Sequence, residues 1–379
     1  MAHDGAVDAP GVGALIRRTA LGGALAVVLT SCGGTEEPAA PPSSTSTPGS
    51  TSPATSPAPG ERPSDRPSDR PSESPTDSPG ETPAAEALPP LRDRVSLPAL
   101  MRESFTGGPI RRGREVLANA AYTRHEVTYP TGRVTVSGVL LRPRGSGPFP
   151  AVVLNHGYIE PSTYTSGQGL SREQDYLARA GFVVLHTDYR GHAGSDPASE
   201  ESRETRLGYT RDTINAVQSL KREPFVDPDR VAMLGRSMGG GVTLNALVVQ
   251  PGLVRAAVVF APVSSDFVDN LNRWTLTERP EAAAATYRRH GTPTHDPGFY
   301  RGLSSRTYFD RITEPVLIHH GTLDESCPVR WSRTTQRLLR RAGVDSRLEI
   351  YRGEQHAFGP QWPLSMERTV GFLRRELRT

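Results

Sequence analysis

The sequence Gly235-Arg236-Ser237-Met238-Gly239 decides the fold, because of what stands on either side of it. It directly follows the apolar run Val231-Ala232-Met233-Leu234 and directly precedes Gly240-Gly241-Val242-Thr243-Leu244-Asn245-Ala246-Leu247. This order predicts a buried strand, a sharp turn and a helix. Such a turn strains the serine and leaves little room beside it, which explains the glycines. The alternative is a tight turn with an N-capping serine, but the strand and helix favour an exposed nucleophile.

A serine hydroxyl is a weak nucleophile at neutral pH unless a base accepts its proton and an acid orients that base. On a strand–serine–helix scaffold, the acid and then the histidine follow on loops after later strands. Asp324 follows the apolar strand pattern 315–320, and His356 follows the next strand pattern. We therefore predict Ser237 as the nucleophile, His356 as the base and Asp324 as the orienting acid, with Glu325 as the competing acid.

An acyl-transfer site also needs two backbone N–H groups that face the developing negative charge. One should be the N–H of Met238, because it lies at the start of a helix whose dipole favours negative charge. The other should be the N–H of Tyr158, in the turn Asn155-His156-Gly157-Tyr158, where glycine lets the backbone approach closely. The side chains of Asn155 and His156 are expected to brace this turn.

The rest of the chain alternates strand and helix patterns. Residues 124–129 and 133–141 alternate apolar and polar positions around Thr131-Gly132, which indicates an antiparallel hairpin. Most later apolar runs show no alternation, as in strands buried on both faces, and they lie at 151–154, 182–185, 231–234, 256–260, 316–318 and 347–350. Helical patterns lie at 171–180, 205–222, 238–250, 329–342 and 364–377. This predicts an α/β fold with a mostly parallel sheet, antiparallel first strands and helices on both faces.

Residues 262–305 interrupt this rhythm. A structureless loop of that length is uncommon in a compact domain, so the segment should form a small helical cap. Its aromatic residues Phe267, Trp274 and Tyr287 are predicted to line an apolar substrate pocket. The alternative is a structural insertion with a small core of its own.

Five ordered motifs carry a family resemblance. They are Asn155-His156-Gly157-Tyr158, Asp188-Tyr189-Arg190-Gly191-His192, Gly235-Arg236-Ser237-Met238-Gly239-Gly240, Gly321-Thr322-Leu323-Asp324 and Gln355-His356. Over about residues 120–379 the chain resembles the α/β-hydrolase superfamily, and more narrowly the prolyl oligopeptidase (S9) catalytic domain and its single-domain esterase relatives. The resemblance implies an acyl-enzyme hydrolase with Ser237, Asp324 and His356 as triad, and a mostly structural role for the 188–192 turn.

The resemblance departs from the oligopeptidases in one respect. Those enzymes carry a large domain, such as a β-propeller, before the catalytic one, whereas only residues 91–120 precede the first predicted hairpin strand here. A carboxylesterase is therefore slightly favoured over a peptidase. A binding lipoprotein that has lost catalysis is the alternative from another class, although the complete triad argues against it. A perhydrolase would share the triad, whereas a dehalogenase would need an Asp nucleophile where Ser237 stands.

The first 90 residues have the composition of a targeting segment and a tether. Arg17-Arg18 precede the short apolar run 20–29, which predicts a secretory signal over 1–31. Leu29-Thr30-Ser31-Cys32 resembles the bacterial lipobox, which implies lipidation of Cys32 and an extracytoplasmic, lipid-anchored protein. An ordinary cleaved signal is the alternative, and Sec and twin-arginine export both remain open. Residues 32–90 are rich in Pro, Ser and Thr and lack aromatic residues, which predicts a disordered tether before a catalytic domain at 91–379.

Composition excludes several other classes of protein. The chain has only two cysteines and no CxxC pair, so a disulfide scaffold, zinc ribbon or Fe–S cluster is excluded. No HExxH, aspartate cluster or phosphate-binding glycine loop occurs, and the predicted chemistry requires neither metal nor cofactor. The net charge is +3, and the arginines are scattered, so no nucleic-acid partner is expected. The expected partners are a small ester or peptide substrate and, through the lipid, a membrane, with the oligomeric state left open. Cys327 is expected to be a buried, inert thiol.

Overall fold

The computed structural model describes residues 87–379, so the predicted signal, Cys32 and nearly all of the predicted tether lie outside the described residues. In the described part, nine strands form one sheet in the order β1-β2-β3-β5-β4-β6-β7-β8-β9. Their bounds are β1 Arg111–Ala118, β2 Tyr122–Thr131, β3 Val134–Pro143, β4 Phe149–Asn155, β5 Val183–Thr187, β6 Val226–Arg236, β7 Ala256–Phe260, β8 Val316–Gly321 and β9 Ser346–Tyr351.

The sheet has an antiparallel part and a parallel part. Strands β1, β2 and β3 pair antiparallel, and β3 runs antiparallel to β5. From β5 to β9 all neighbours are parallel. Every residue of β5, β7 and β8 is buried, as expected of strands covered on both faces. The predicted α/β fold with antiparallel first strands is confirmed.

Strand β1 was not predicted from the sequence. It lies at the edge of the sheet, and seven of its eight residues are exposed. An exposed edge strand has no buried face, so its sequence lacks the alternation that would reveal it.

Eleven α-helices cover the sheet and its loops in the described region. They are α1 Leu97–Leu100, α2 Ser171–Arg179, α3 Glu200–Thr205, α4 Leu207–Leu220, α5 Met238–Val249, α6 Phe267–Asn270, α7 Leu276–Glu278, α8 Pro280–His290, α9 Pro297–Leu303, α10 Val329–Arg341 and α11 Trp362–Leu377. The single helix predicted over 205–222 is broken at Arg206, where the backbone turns left-handed with φ 61°. No helix among residues 87–379 is long and apolar enough to cross a membrane.

The segment after β7 is helical for much of its length. It contains α6, a π-helical turn at Leu271–Thr275, α7, α8 and α9, and a 3₁₀ stretch at Ser305–Arg311 follows. We call residues 262–311 the cap segment. Its residue Arg273 donates hydrogen bonds to the carbonyls of Glu325 (2.6 Å) and Ser326 (3.1 Å), so this segment is tied to the loop that follows β8.

Candidate active site

Ser237 lies at the turn between β6 and α5 with φ 56° and ψ −120°. A non-glycine residue in this region carries strain of about 1–3 kcal/mol, which is a common feature of functional turns. Its N–H donates to the Phe260 carbonyl at 2.9 Å. A Cβ placed on Gly235 would lie 2.2 Å from the Gly239 carbonyl oxygen, and one on Gly239 would lie 2.0 Å from that of Asn155. The glycines of the motif are therefore required by space, as the sequence predicts.

Asp324 and His356 are joined directly. The Asp324 Oδ2 atom lies 2.8 Å from His356 Nδ1, and its Oδ1 accepts the N–H groups of Ser326 (2.9 Å) and Cys327 (2.7 Å). The competing acid Glu325 meets only the backbone N–H of His356, at 3.4 Å. With Nδ1–H donated to Asp324, Nε2 of His356 is the nitrogen left to accept a proton.

A second histidine also contacts Asp324. His320 is fully buried, and its Nε2 lies 3.1 Å from Asp324 Oδ2 and 2.8 Å from the Cys327 carbonyl oxygen. Because both of these are acceptors, Nε2 carries the hydrogen, and Nδ1 faces Ser332 Oγ at 2.6 Å. Burial by itself would raise the pKa of Asp324, but hydrogen bonds from His320 and His356 lower it well below its usual value. The carboxylate is therefore held ionised.

The loop that carries His356 is fixed from two directions. Arg236, within the GxSxG motif, donates to the Ala357 carbonyl at 3.2 Å and pairs with the buried carboxylate of Glu173. Glu354 is buried, and its carboxylate accepts the N–H groups of Gly359 and Gln361. The turn that presents the serine and the loop that presents the base are thus held by one hydrogen-bonded frame.

Cys327 is a free, fully buried thiol. Burial and the charge of Asp324 raise its pKa, against a smaller lowering contribution from the Ser237 hydroxyl. The thiol is therefore protonated and has little nucleophilic character. It packs with Met238, Val263 and Trp331 as part of the floor beneath the serine.

The predicted oxyanion donors lie on the same cavity as the serine. The backbone N–H groups of Tyr158 and Met238 donate to no protein acceptor among residues 87–379. Gly157 approaches the serine so closely that a Cβ there would lie 3.2 Å from Ser237 Cβ. Asn155 braces the turn, since its side chain bonds to Thr213 (2.9 Å) and Thr243 (2.8 Å).

Ser237 and His356 line one cavity of about 390 Å³. No hydrogen bond joins the Ser237 hydroxyl to His356 within the described residues, and catalytic hydrogen bonds often tighten only in the substrate complex. The wall also contains Tyr158, Ile159, Arg206, Arg236, Met238, Val263, Trp274, Glu278, Arg279 and Ser326. The arrangement places a serine, a carboxylate-bound imidazole and two free N–H groups around one volume, which suits acyl transfer.

The three aromatic residues predicted for the pocket are placed differently. Trp274 lines the cavity and packs edge-on against Trp331 at 5.6 Å between ring centroids. Phe267 is buried in the core beside Tyr300, and Tyr287 packs against the same core. Neither Phe267 nor Tyr287 lines the cavity, because the helices that carry them turn these rings toward the body of the domain. We correct the pocket prediction for these two residues.

Sequence reasoning did not assign three polar residues to this site, although it indicates that His320 packs or hydrogen-bonds to a loop. His320 and Arg236 act through Asp324 and the His356 loop, and Arg206 lines the cavity. His320 lies four residues before the acid, at the end of a strand, and a histidine at that spacing was the available signal. Arg206 had none, because the helical pattern over 205–222 includes this residue without interruption and α3 was not predicted. Across residues 87–379 no group of three or more His, Cys, Asp or Glu side chains could hold a metal ion.

Comparison with known proteins agrees with this geometry. Residues 168–378 match the prolyl oligopeptidase family. The chain is 30% identical to dipeptidyl peptidase 8 of Homo sapiens over 187 residues, which is 48% of this chain and 20% of that protein. It is 27% identical to the acylamino-acid-releasing enzyme of Sus scrofa over 235 residues, 58% of this chain and 30% of that enzyme. The chain thus spans less than a third of the length of these relatives.

Among solved structures, the chain is similar to acetyl xylan esterase 1 from Thermoanaerobacterium sp. JW/SL YS485. The TM-score is 0.57 at 20% identity, and the match covers 73% of this chain and 92% of the esterase. This likeness shows the fold alone. The family match covers more than half of the chain and includes the segments that carry Ser237, Asp324 and His356, so this chain belongs to the prolyl oligopeptidase family of serine hydrolases.

Proposed function

We propose that this chain hydrolyses a carboxylic ester or an amide bond through an acyl-enzyme on Ser237, and that an ester is the preferred substrate. The observation that supports this most directly is the 2.8 Å bond between Asp324 and His356 beside the cavity that Ser237 lines. In this proposal His356 is the base and Asp324 its orienter. The N–H groups of Tyr158 and Met238 form the oxyanion hole.

The proposed reaction has two halves. Ser237 Oγ attacks the substrate carbonyl carbon while its proton passes to His356 Nε2, and the carbonyl oxygen becomes negative between the two N–H groups. The intermediate then expels the alcohol or amine, which takes the proton from His356. Water attacks the acyl-enzyme with His356 again as base, and the acid product leaves with Ser237 restored. Asp324, held ionised by its four hydrogen-bond donors, stabilises the imidazolium in both halves.

The charge of the cavity wall favours an ester over the free N-terminus of a peptide. An enzyme that removes residues from a free N-terminus must bind an ammonium group, which needs carboxylates nearby. Of the three arginines on this wall, Arg236 and Arg279 are paired with Glu173 and Glu204, which leaves the charge of Arg206. The wall's one carboxylate is the exposed Glu278. The acetyl xylan esterase, which is matched over nearly its whole length, gives a precedent for ester chemistry on this fold.

Active-site labelling tests the first part of the proposal. The full chain is treated with a fluorophosphonate, and the adduct is located by mass spectrometry alongside the Ser237→Ala variant. We expect phosphonylation of Ser237 that the variant lacks, because only an activated serine attacks phosphorus readily. Folded but unlabelled protein would overturn the enzyme proposal and favour a non-catalytic binding role. Formation of peracetic acid from acetate and hydrogen peroxide would identify a perhydrolase.

Matched substrates test the preference for esters. p-Nitrophenyl butyrate and the p-nitroanilide of butyric acid share an acyl group and differ in the bond that is cleaved. We expect the ester to be turned over with the higher kcat/KM by a factor larger than the uncatalysed ratio of the two compounds. If the ratio of the two kcat/KM values equals the uncatalysed ratio, or if aminoacyl anilides are cleaved efficiently, the chain is instead a peptidase.

We also propose that the protein is exported and anchored through a lipid on Cys32. The support is the sequence alone: the arginine pair at 17–18, the apolar run at 20–29 and the lipobox-like Leu29–Cys32. Expression in a bacterial host with radiolabelled fatty acid should label the wild-type chain and not Cys32→Ser. A wild-type chain that is cleaved but unlabelled would indicate an ordinary secretory signal and a secreted protein.

A further inference from the structure

Arg206 occupies the junction between α3 and α4 in a left-handed conformation, with φ 61° and ψ 9°. The left-handed conformation is less favourable for arginine than for glycine or asparagine, so the presence of arginine at this position suggests a role for its side chain. The Arg206 carbonyl accepts the N–H and the hydroxyl of Thr210, both at 3.0 Å, which fixes the junction. The side chain lines the cavity that contains Ser237.

The guanidinium of Arg206 has no partner in the described part of the chain. It makes no side-chain hydrogen bond, and no carboxylate of residues 87–379 lies within 4.0 Å of it. The other two arginines of the same wall are paired: Arg236 with Glu173, and Arg279 with Glu204 at 3.2 Å. Burial lowers the pKa of Arg206, the nearby Glu204 raises it and Arg279 lowers it again. Because Glu204 already pairs with Arg279, Arg206 holds a positive charge beside the nucleophile without a carboxylate of its own.

The position of Arg206 relative to His356 indicates which half of the substrate it meets. The leaving group must take its proton from His356, so it lies on the His356 side of Ser237. A second cavity, of about 200 Å³, shares Tyr158, Arg206, Met238 and Arg279 with the first and does not reach His356. Arg206 therefore lies on the side of the site away from His356, which is the side of the acyl group. The rest of the second cavity carries four glutamates, so a carboxylate bound by Arg206 would lie in the first cavity, whose wall contains one carboxylate, Glu278.

We propose that Arg206 is a specificity-determining residue that binds a carboxylate on the acyl part of the substrate. The preferred substrates are then half-esters, or half-amides, of dicarboxylic acids, and the carboxylate remains unchanged in the product. A guanidinium suits this role because it is always charged and can donate two parallel hydrogen bonds to one carboxylate. The inference rests on the proposed function and adds a substrate class to it.

Two p-nitrophenyl esters that differ only in the group at the end of the acyl chain test the proposal. Mono-p-nitrophenyl adipate carries a free carboxylate at the end of the acyl chain, and methyl p-nitrophenyl adipate carries a neutral ester there. The six-carbon acid is chosen because shorter half-esters cleave themselves by forming cyclic anhydrides. The wild-type full chain should prefer the acid by about 10- to 100-fold in kcat/KM, the range of a charge-assisted hydrogen bond. The preference should lie mostly in KM, because the carboxylate binds alike in ground and transition states.

Variants separate direct binding from general charge. Arg206→Gln should reduce the preference ratio to near one. Arg206→Lys should retain part of it, because lysine keeps the charge but cannot donate two parallel hydrogen bonds to one carboxylate. Arg288→Gln is the matched control, since Arg288 is an exposed residue of α8 that lines neither cavity. It removes the same charge and should leave the ratio unchanged. Circular dichroism of each variant verifies its fold.

Two results would overturn the inference while leaving the proposed function intact. One is equal turnover of both esters by a wild-type chain whose Ser237 is labelled by fluorophosphonate. The other is an equal loss of preference in Arg288→Gln and Arg206→Gln, which would mean that the overall positive charge, and not a contact with Arg206, favours the acid. Absence of both labelling and turnover of either ester would instead contradict the proposed function itself.

Discussion

The cavity has two walls that are built differently. The acid–base wall consists of the loops 321–328 and 352–361, and the facing wall consists of Arg206 with Trp274, Glu278 and Arg279 of the cap segment. On the acid–base wall, the single carboxylate of Asp324 receives four hydrogen bonds, from two histidines and two backbone N–H groups. On the facing wall Arg206 has no partner in the described region. The residues proposed to perform the chemistry are thus held before substrate arrives, whereas Arg206, the residue proposed to bind the acyl group, keeps its hydrogen-bond donors free.

Removing the charge of Asp324, on the acid–base wall, should have the largest effect on activity. In Asp324→Asn the side chain can present an N–H to His356 and favour the wrong tautomer, so kcat should fall about 10,000-fold. Glu325→Gln should retain activity within about threefold, because Glu325 reaches only the backbone of His356. Steady-state rates on p-nitrophenyl butyrate measure both. Equal losses in the two variants would mean that the acid role is shared.

The frame behind the acid–base wall should be costly to break. Arg236→Met leaves the buried Glu173 carboxylate without its ion pair and should lower the free energy of unfolding by about 3–5 kcal/mol. The double variant Arg236→Met/Glu173→Leu should recover part of that loss, since no buried charge remains. Urea denaturation of the three proteins provides the comparison. A double variant less stable than Arg236→Met would show that the pair acts by packing and not by charge.

A buried histidine on β8 should make stability depend on pH. Burial, and then nearby arginines led by Arg368, lower the pKa of His319 to about 3, below the unfolded value of about 6.5. The unfolded chain therefore binds more protons at any pH between these values. The free energy of unfolding should fall by about 1.4 kcal/mol per pH unit from pH 6.5 toward pH 3 on account of this residue.

The matched variants for this dependence are His319→Gln and His295→Gln. His319→Gln should flatten the slope of unfolding free energy against pH, whereas the exposed His295 should not affect it. Urea midpoints measured at half-unit steps give the slopes. An unchanged slope in His319→Gln would mean that this histidine is protonated in the folded protein.

The facing wall should give the smallest effects. Trp274→Ala removes one cavity surface and its contact with Trp331, so KM for a butyrate ester should rise about 3- to 10-fold with little change in kcat. Tyr287→Ala should leave KM unchanged and lower only the melting temperature, because Tyr287 packs against the core. If Tyr287→Ala raised KM as much as Trp274→Ala, the cap segment would have to rearrange around substrate.

The same contrast explains what the sequence could predict. Asp324 and His356 lie on short loops after strands, and Ser237 lies at a strand-to-helix turn. Chain order and glycine spacing leave few arrangements there, so these three residues could be predicted from their motifs. Phe267 lies on α6, Trp274 lies within the π-helical turn that follows, and Tyr287 lies on α8. A π-helical turn shifts every later side chain around the helix axis. Aromatic content alone could not tell which ring faces the cavity.

Glu173 connects the nucleophile turn to the end of the chain. Its carboxylate receives Arg236 from the turn at Ser237 and, at 2.8 Å, the indole N–H of Trp362, the first residue of α11. During synthesis, the strand and helix around Ser237 leave the ribosome well before Trp362 does. A nascent chain would thus contain its nucleophile before His356 and the loop that carries it had left the ribosome. The protein would remain inert as a hydrolase until the loop of His356 and α11 had folded.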